Sequence, residues 1–149
     1  MPPADAFRLL VLSDLHYAPG EPDAGSRRVR FGPELLRRAM VDADAHGGFD
    51  AVGLLGDLLN APRDDAAELY AAFRAEIQEA AGDVPLLVVP GNHDGPGCLA
   101  ALGAAPGGHT VGGVRFFVFA DTYDAADACT RPCDQREAFA AFANDQAGP

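Results

Sequence analysis

Apolar positions along this chain come in two textures. In Phe7-Arg8-Leu9-Leu10-Val11-Leu12-Ser13, in Phe49 to Leu55 and in Val84 to Val89 they run nearly unbroken, which predicts strands, the first of them buried on both faces. Between these runs they recur at helical spacing. Leu35, Leu36, Ala39, Met40 and Ala43 mark a helix from Glu34 to His46, opened by Pro33 and closed by Gly47-Gly48. Leu69, Phe73, Ile77 and Ala80 share one face of a second helix, from Pro62 to about Ala81, which Gly82 stops. That stripe reads as packing against a sheet. His46, in the last turn of the first helix, suits the dipole there and reads as a cap, not a ligand. The order β-α-β-α-β predicts neighbouring parallel strands with right-handed crossovers.

Beyond Asp94 the texture loosens. Gly95-Pro96-Gly97-Cys98 reads as a loop and Leu99 to Leu102 as a short helix. His109-Thr110-Val111 and Val114 to Ala120, joined by Gly112-Gly113, read as a hairpin. His109 has no partner at ligand spacing and reads as structural. Asp121 to Asp134 is expected to be a loop, and Gln135 to Gln146 a final amphipathic helix. The expected class is α/β: a mixed, mainly parallel sheet flanked by helices, in one domain over residues 1–149.

Composition narrows the function. The chain carries 22 acidic residues against 11 basic ones, for a formal charge of -11, and every basic residue is arginine. That balance argues against a nucleic-acid groove and permits bound cations. Cys98, Cys129 and Cys133 make no Cys-x-x-Cys motif and read as free thiols of a reducing cytoplasm. The run from Leu9 to Leu12 is too short for a signal peptide or a membrane span. A cytoplasmic protein without a membrane partner is expected.

Each long apolar run ends in polar chemistry. The first leads to Asp14-Leu15-His16, the second to Gly56-Asp57-Leu58-Leu59-Asn60, and the third to Pro90-Gly91-Asn92-His93-Asp94. Ligands in open α/β sheets bind outside the carboxyl ends of the strands. Residues two apart in extended chain point the same way, so Asp14 and His16 can converge on one ion. Taken singly, each motif has a plainer reading: a turn-starting aspartate with a surface histidine, or a polar turn using Gly91 and Asn92 for unusual backbone angles. Together, Asp14, His16, Asp57 and Asn92 form an oxygen and nitrogen donor set suited to divalent Mn, Fe or Zn. The central Asp57 carboxylate has oxygens enough to bridge two ions, which would activate water and stabilise an in-line displacement at phosphorus. The loop 17–32 carries Arg27, Arg28 and Arg30, which could reach a substrate phosphate or form a solvated basic cluster, the commoner case.

Asp14-x-His16, Gly56-Asp57-x-x-Asn60 and Gly91-Asn92-His93-Asp94, in this order, resemble the calcineurin-like metallophosphoesterase superfamily over residues 7–95. Asp121-Thr122 after a strand and Gln135 opening a helix are similar to bacterial members, including the cyclic-nucleotide phosphodiesterase-like group. The resemblance implies the N-terminal half of a β-sandwich with flanking helices and a hydrolase acting on small phosphomono- or phosphodiesters by a metal-bound hydroxide. It implies two divalent ions, the first on Asp14, His16 and Asp57, the second on Asp57 and Asn92. His93 would contact the phosphoryl group or protonate the leaving group, steered by Asp94, and Asn60 would fix its loop.

The chain departs from the family pattern at its end. A further strand-end histidine and a Gly-His-x-His motif are missing; Gly108-His109-Thr110-Val111 lacks the second histidine. The second metal site is therefore expected to be incomplete, with a C-terminal segment or a second copy completing it. An uncovered sheet edge and apolar face are expected to favour association. The alternative is a catalytically incompetent remnant that binds metal weakly or serves as an assembly partner. A nuclease is disfavoured by the acidic charge and the lack of lysine.

Overall fold

A computed structural model describes residues 6–23, 25 and 28–145. The three apolar runs form one parallel sheet in the order β1-β2-β3, with β1 at Leu9–Leu12, β2 at Ala51–Leu55 and β3 at Leu86–Val89. The register pairs Leu10 with Val52 and Leu54 with Val88. Leu10, Leu12, Val52, Leu54 and Val88 thereby make one apolar surface, which helices α1 (Gly32–Ala45) and α2 (Ala66–Ala81) cover with Leu36, Met40, Phe73 and Ile77. The mixed α/β architecture and the parallel neighbours are those the periodicity predicts.

β1 departs from the expectation of burial on both faces. It is an edge strand whose burial alternates, and Leu9 and Val11 remain 38% and 49% exposed. An unbroken apolar run does not reveal strand order, and burial of a second face needs a second covering layer. On that face Leu9 and Val11 lie against Gly53 of the central strand, and Leu55 is exposed as well.

α2 also differs from its expected face. Ala80 is exposed and Leu69 only half-buried, whereas Tyr70, Phe73 and Ile77 are buried. The helix is turned so that a tyrosine, an amphipathic side chain that periodicity counts ambiguously, points inward.

After β3, α3 (Cys98–Leu102) ends on left-handed Gly103. β4 (Gly107–Val111) and β5 (Val114–Val118) pair antiparallel around Gly112 and Gly113, both at positive φ, as the Gly-Gly turn predicts. The segment 121–134, expected as a loop, contains a short antiparallel pair, β6 (Thr122–Tyr123) and β7 (Cys129–Thr130). Both strands are exposed, so no alternation marks them. α4 (Cys133–Asn144) follows and lays Phe142 on Gly108 of β4 and Phe117 of β5. Gln146, the expected end of that helix, lies outside the described residues, as do Met1 to Asp5 and Arg27.

In the loop 17–32, Tyr17, Ala18 and Val29 are buried. Arg28 and Arg30 both reach Asp23, at 3.2 and 3.5 Å, and form the solvated cluster. No helix among the described residues is long and apolar enough to cross a membrane.

Candidate metal centre

The parallel pairing of β1 and β2 continues past the strand ends. The N–H of Asp14 donates to the Gly56 carbonyl (3.2 Å), that of His16 to Asp57 (2.9 Å) and that of Tyr17 to Leu58 (2.6 Å). This stitching brings one ligand atom each from Asp14, His16 and Asp57 within 4.8 Å of one another. The convergence is not made by extended-strand alternation. Asp14, His16 and Asp57 take φ of +54°, +44° and +50°, a left-handed region that costs non-glycine residues roughly 1–3 kcal/mol each. Among the described residues one other non-glycine, Asp127, has positive φ.

The loop after β3 is pressed against the loop after β2. A β-carbon on Gly56 would stand 3.0 Å from Gly91 Cα, and one on Gly91 would stand 2.5 Å from the Asp57 nitrogen and collide with its carboxylate. Only glycine admits that approach. The contact lets Asp57 Oδ1 accept the His93 N–H at 3.3 Å, so the second and third motifs share one carboxylate.

Asp94 plays a different part from the one expected. It does not steer the His93 ring. Its Oδ1 accepts the N–H groups of Leu58 (3.1 Å) and Leu59 (3.2 Å) and the Tyr70 hydroxyl (3.0 Å), and its Oδ2 accepts the Gly91 N–H (2.9 Å). The carboxylate thus ties both site loops to α2. Burial, and next the Asp94 charge, push the Tyr70 hydroxyl well above the usual phenol range. His93 is held instead by Asn60, whose carbonyl oxygen lies 2.6 Å from Nδ1. The loop-fixing part expected of Asn60 falls to its backbone; its Oδ1 is buried without a hydrogen-bond partner.

The His93 and His16 rings meet edge to face, centroids 5.1 Å apart. His16 Nδ1 is buried and has no hydrogen-bond partner. Neither Asp14 nor Asp57 has a salt-bridge partner among the described residues. Two carboxylates and an imidazole that converge without a cationic partner are what a divalent cation relieves, so the residues fit the ion expected of them. Asn92, next to Gly91, donates from Nδ2 to Asp127 Oδ1 at 3.2 Å.

Beside the cluster opens a cavity of about 710 Å³, lined in part by Asn92, Asp94, Leu99, Tyr123 and Asp127. The β6–β7 arm forms one wall. Arg131 anchors it with a two-pronged bond to Asp121 (2.8 and 2.7 Å) and stacks over Phe119 at 3.8 Å. Hydrogen bonding to Arg131 holds the Asp121 carboxyl below the usual carboxylate range. Gln135 bonds both the N–H and the carbonyl of Ala120, each at 2.8 Å. Burial raises the Tyr123 hydroxyl, with Cys129 next and the Asp121 and Asp57 charges adding to it.

The remaining histidines stay away from this chemistry. His46 closes α1, its Nδ1 2.7 Å from the Asp42 carbonyl, and His109 Nε2 lies 2.9 Å from the Ala105 carbonyl. The cysteines are free, Cys98 buried and the other two exposed. Tyr70, Tyr123 and Asp127 carry no sequence signal of their parts, which arise from loops that meet only in three dimensions.

A family model described as calcineurin-like phosphoesterase matches residues 7–137. No curated protein matches the chain.

Proposed function

Because the chain belongs to the calcineurin-like phosphoesterase family, whose members imply metal-dependent phosphoester hydrolysis, we propose that its strand-end cluster hydrolyses a small phosphomono- or phosphodiester at a dinuclear centre. The observation that carries this reading is the convergence of Asp14, His16 and Asp57 within 4.8 Å. These three would hold the first divalent ion, and Asp57 with Asn92 the second. Manganese, iron or zinc suits the donors. When bound, the ions supply Lewis acidity and a water made nucleophilic near neutral pH.

The chain's own residues supply the rest. His93, its Nδ1 engaged by Asn60, keeps Nε2 for a phosphoryl oxygen or for a proton to the leaving group. Asp94 holds the loops that carry Asp57 and Asn92 in register. The cavity beside Asn92 receives the organic part of the ester.

The test is elemental analysis after Mn²⁺ loading and desalting, together with hydrolysis of bis(p-nitrophenyl) phosphate and p-nitrophenyl phosphate. Close to two ions per chain with turnover is expected, the donors missing from the second site then coming from a second copy or from residues outside the three motifs, and Asp57→Asn should abolish both. Turnover unchanged in that variant refutes the bridging carboxylate. A chain that keeps no more than one ion and turns over neither ester is instead a metal-poor assembly partner.

A further inference from the structure

The four described non-glycine residues at positive φ are Asp14, His16, Asp57 and Asp127. Three belong to the proposed ligand set; Asp127 does not. It stands in the loop between β6 and β7, which is stitched shut. Asp124 N–H donates to the Ala128 carbonyl (3.2 Å), and Asp127 N–H to the Asp124 carbonyl (3.0 Å). Asp124 Oδ1 accepts the N–H groups of Ala126 (2.8 Å) and Ala128 (3.0 Å). From this closed loop, at φ +59°, Asp127 presents Oδ1 to Asn92 Nδ2 at 3.2 Å, on the wall of the cavity both residues line.

The chemistry of that contact has a direction. An amide has one donating and one accepting end, whereas a carboxylate only accepts. Asp127 therefore decides which way the Asn92 amide is turned: Nδ2 faces the carboxylate and Oδ1 is left free. Oδ1 is also the only end able to ligate a cation.

We infer that Asp127 is the positioning residue of the second divalent ion, holding Asn92 with its carbonyl oxygen available to that ion. Drawing on the amide protons also makes this oxygen a better donor. The arm that carries Asp127 is fixed by the Arg131–Asp121 and Gln135–Ala120 bonds, so the amide is turned before any ion arrives. This inference rests on the dinuclear reading proposed above.

The experiment is a Mn²⁺ titration of the full chain by calorimetry, with bound ions counted by elemental analysis. The wild type is compared with Asp127→Gly and with the exchange Asn92→Asp plus Asp127→Asn. In Asp127→Gly, which keeps the positive φ and removes the carboxylate, the weaker binding step should lose about 10- to 100-fold in affinity, the range for partners that orient ligands, while the tighter step is unchanged. The exchange should recover that loss, because a carboxylate at 92 has no wrong end and an amide at 127 can donate to it. An unchanged isotherm in Asp127→Gly overturns the inference. So does a loss the exchange fails to recover, which would trace to the loop and not to the amide. A wild-type chain that binds fewer than two ions overturns the dinuclear reading itself, before any variant is compared.

Discussion

His93 Nδ1 lies 2.6 Å from the backbone carbonyl oxygen of Asn60. A carbonyl only accepts, so Nδ1 carries the proton and Nε2 is the working nitrogen, an acceptor when neutral and a donor when charged. His93→Ala should therefore keep its metal and slow hydrolysis of esters with poor leaving groups by about 10²-fold or more, the usual yield of a positioned acid. Elemental analysis and a leaving-group series check this. A uniform loss across leaving groups would leave His93 as a phosphoryl contact without acid function, and loss of the metal would assign it to the metal shell.

Gly91→Ala tests how the second and third motifs are joined. A β-carbon there would stand 2.5 Å from the Asp57 nitrogen and run into its carboxylate, so Asp57 must move. Displacing a reacting group by about an ångström costs roughly 10²-fold. The variant should retain less metal and lose activity by about that factor. Wild-type metal content and rate would show that the loops part without harm.

The three strands, two long helices and glycine hairpin were legible because each rests on local physics: unbroken apolar runs, three-and-four spacing, and a two-glycine turn. The convergence of Asp14, His16 and Asp57 was legible because these residues stand just past the ends of β1 and β2. What was hidden needed partners distant in sequence. The edge position of β1 depends on strand order, which Leu9 to Leu12 do not encode. The inward turn of Tyr70 depends on an acceptor 24 residues away, and the arm bearing Asp127 on an amide 35 residues away. The part expected of Asp94 failed for the same reason: adjacency to His93 suggested a partner, while the backbone N–H groups of another loop supplied closer ones.

Tyr70→Phe removes the hydroxyl that donates to Asp94 Oδ1 at 3.0 Å and also hydrogen-bonds the Cys98 thiol. A hydrogen bond to a charged group contributes about 1.5–3 kcal/mol, and a loss of that size is expected in urea denaturation with the m-value unchanged. The loops at 57–59 and 91–94 lose a tether to α2, so metal retention should fall as well. A stability loss without any change in metal binding would make Tyr70 a packing residue only.

Cys98 gives the fold a pH dependence that can be isolated. The residue is 1% exposed. Burial, with the Asp94 charge adding and a Tyr70 hydrogen bond opposing, pushes its pKa from 9.0 up to about 12. The folded chain then keeps a proton that the unfolded chain releases above about pH 9. The associated stability is fully present below that pH and is lost as pH rises toward 12, at a slope of at most about 1.4 kcal/mol per pH unit. Tyr17 and Tyr70, also raised by burial, add a slope of the same sign above about pH 10. The informative window is therefore between about pH 8 and about pH 10. There, the unfolding free energy of the wild type should fall more steeply than that of Cys98→Ala, whatever constant offset the substitution itself introduces. Parallel lines for the two proteins would mean that the thiol ionises as readily in the folded chain as in the unfolded one, and that burial beside Asp94 does not hold its proton.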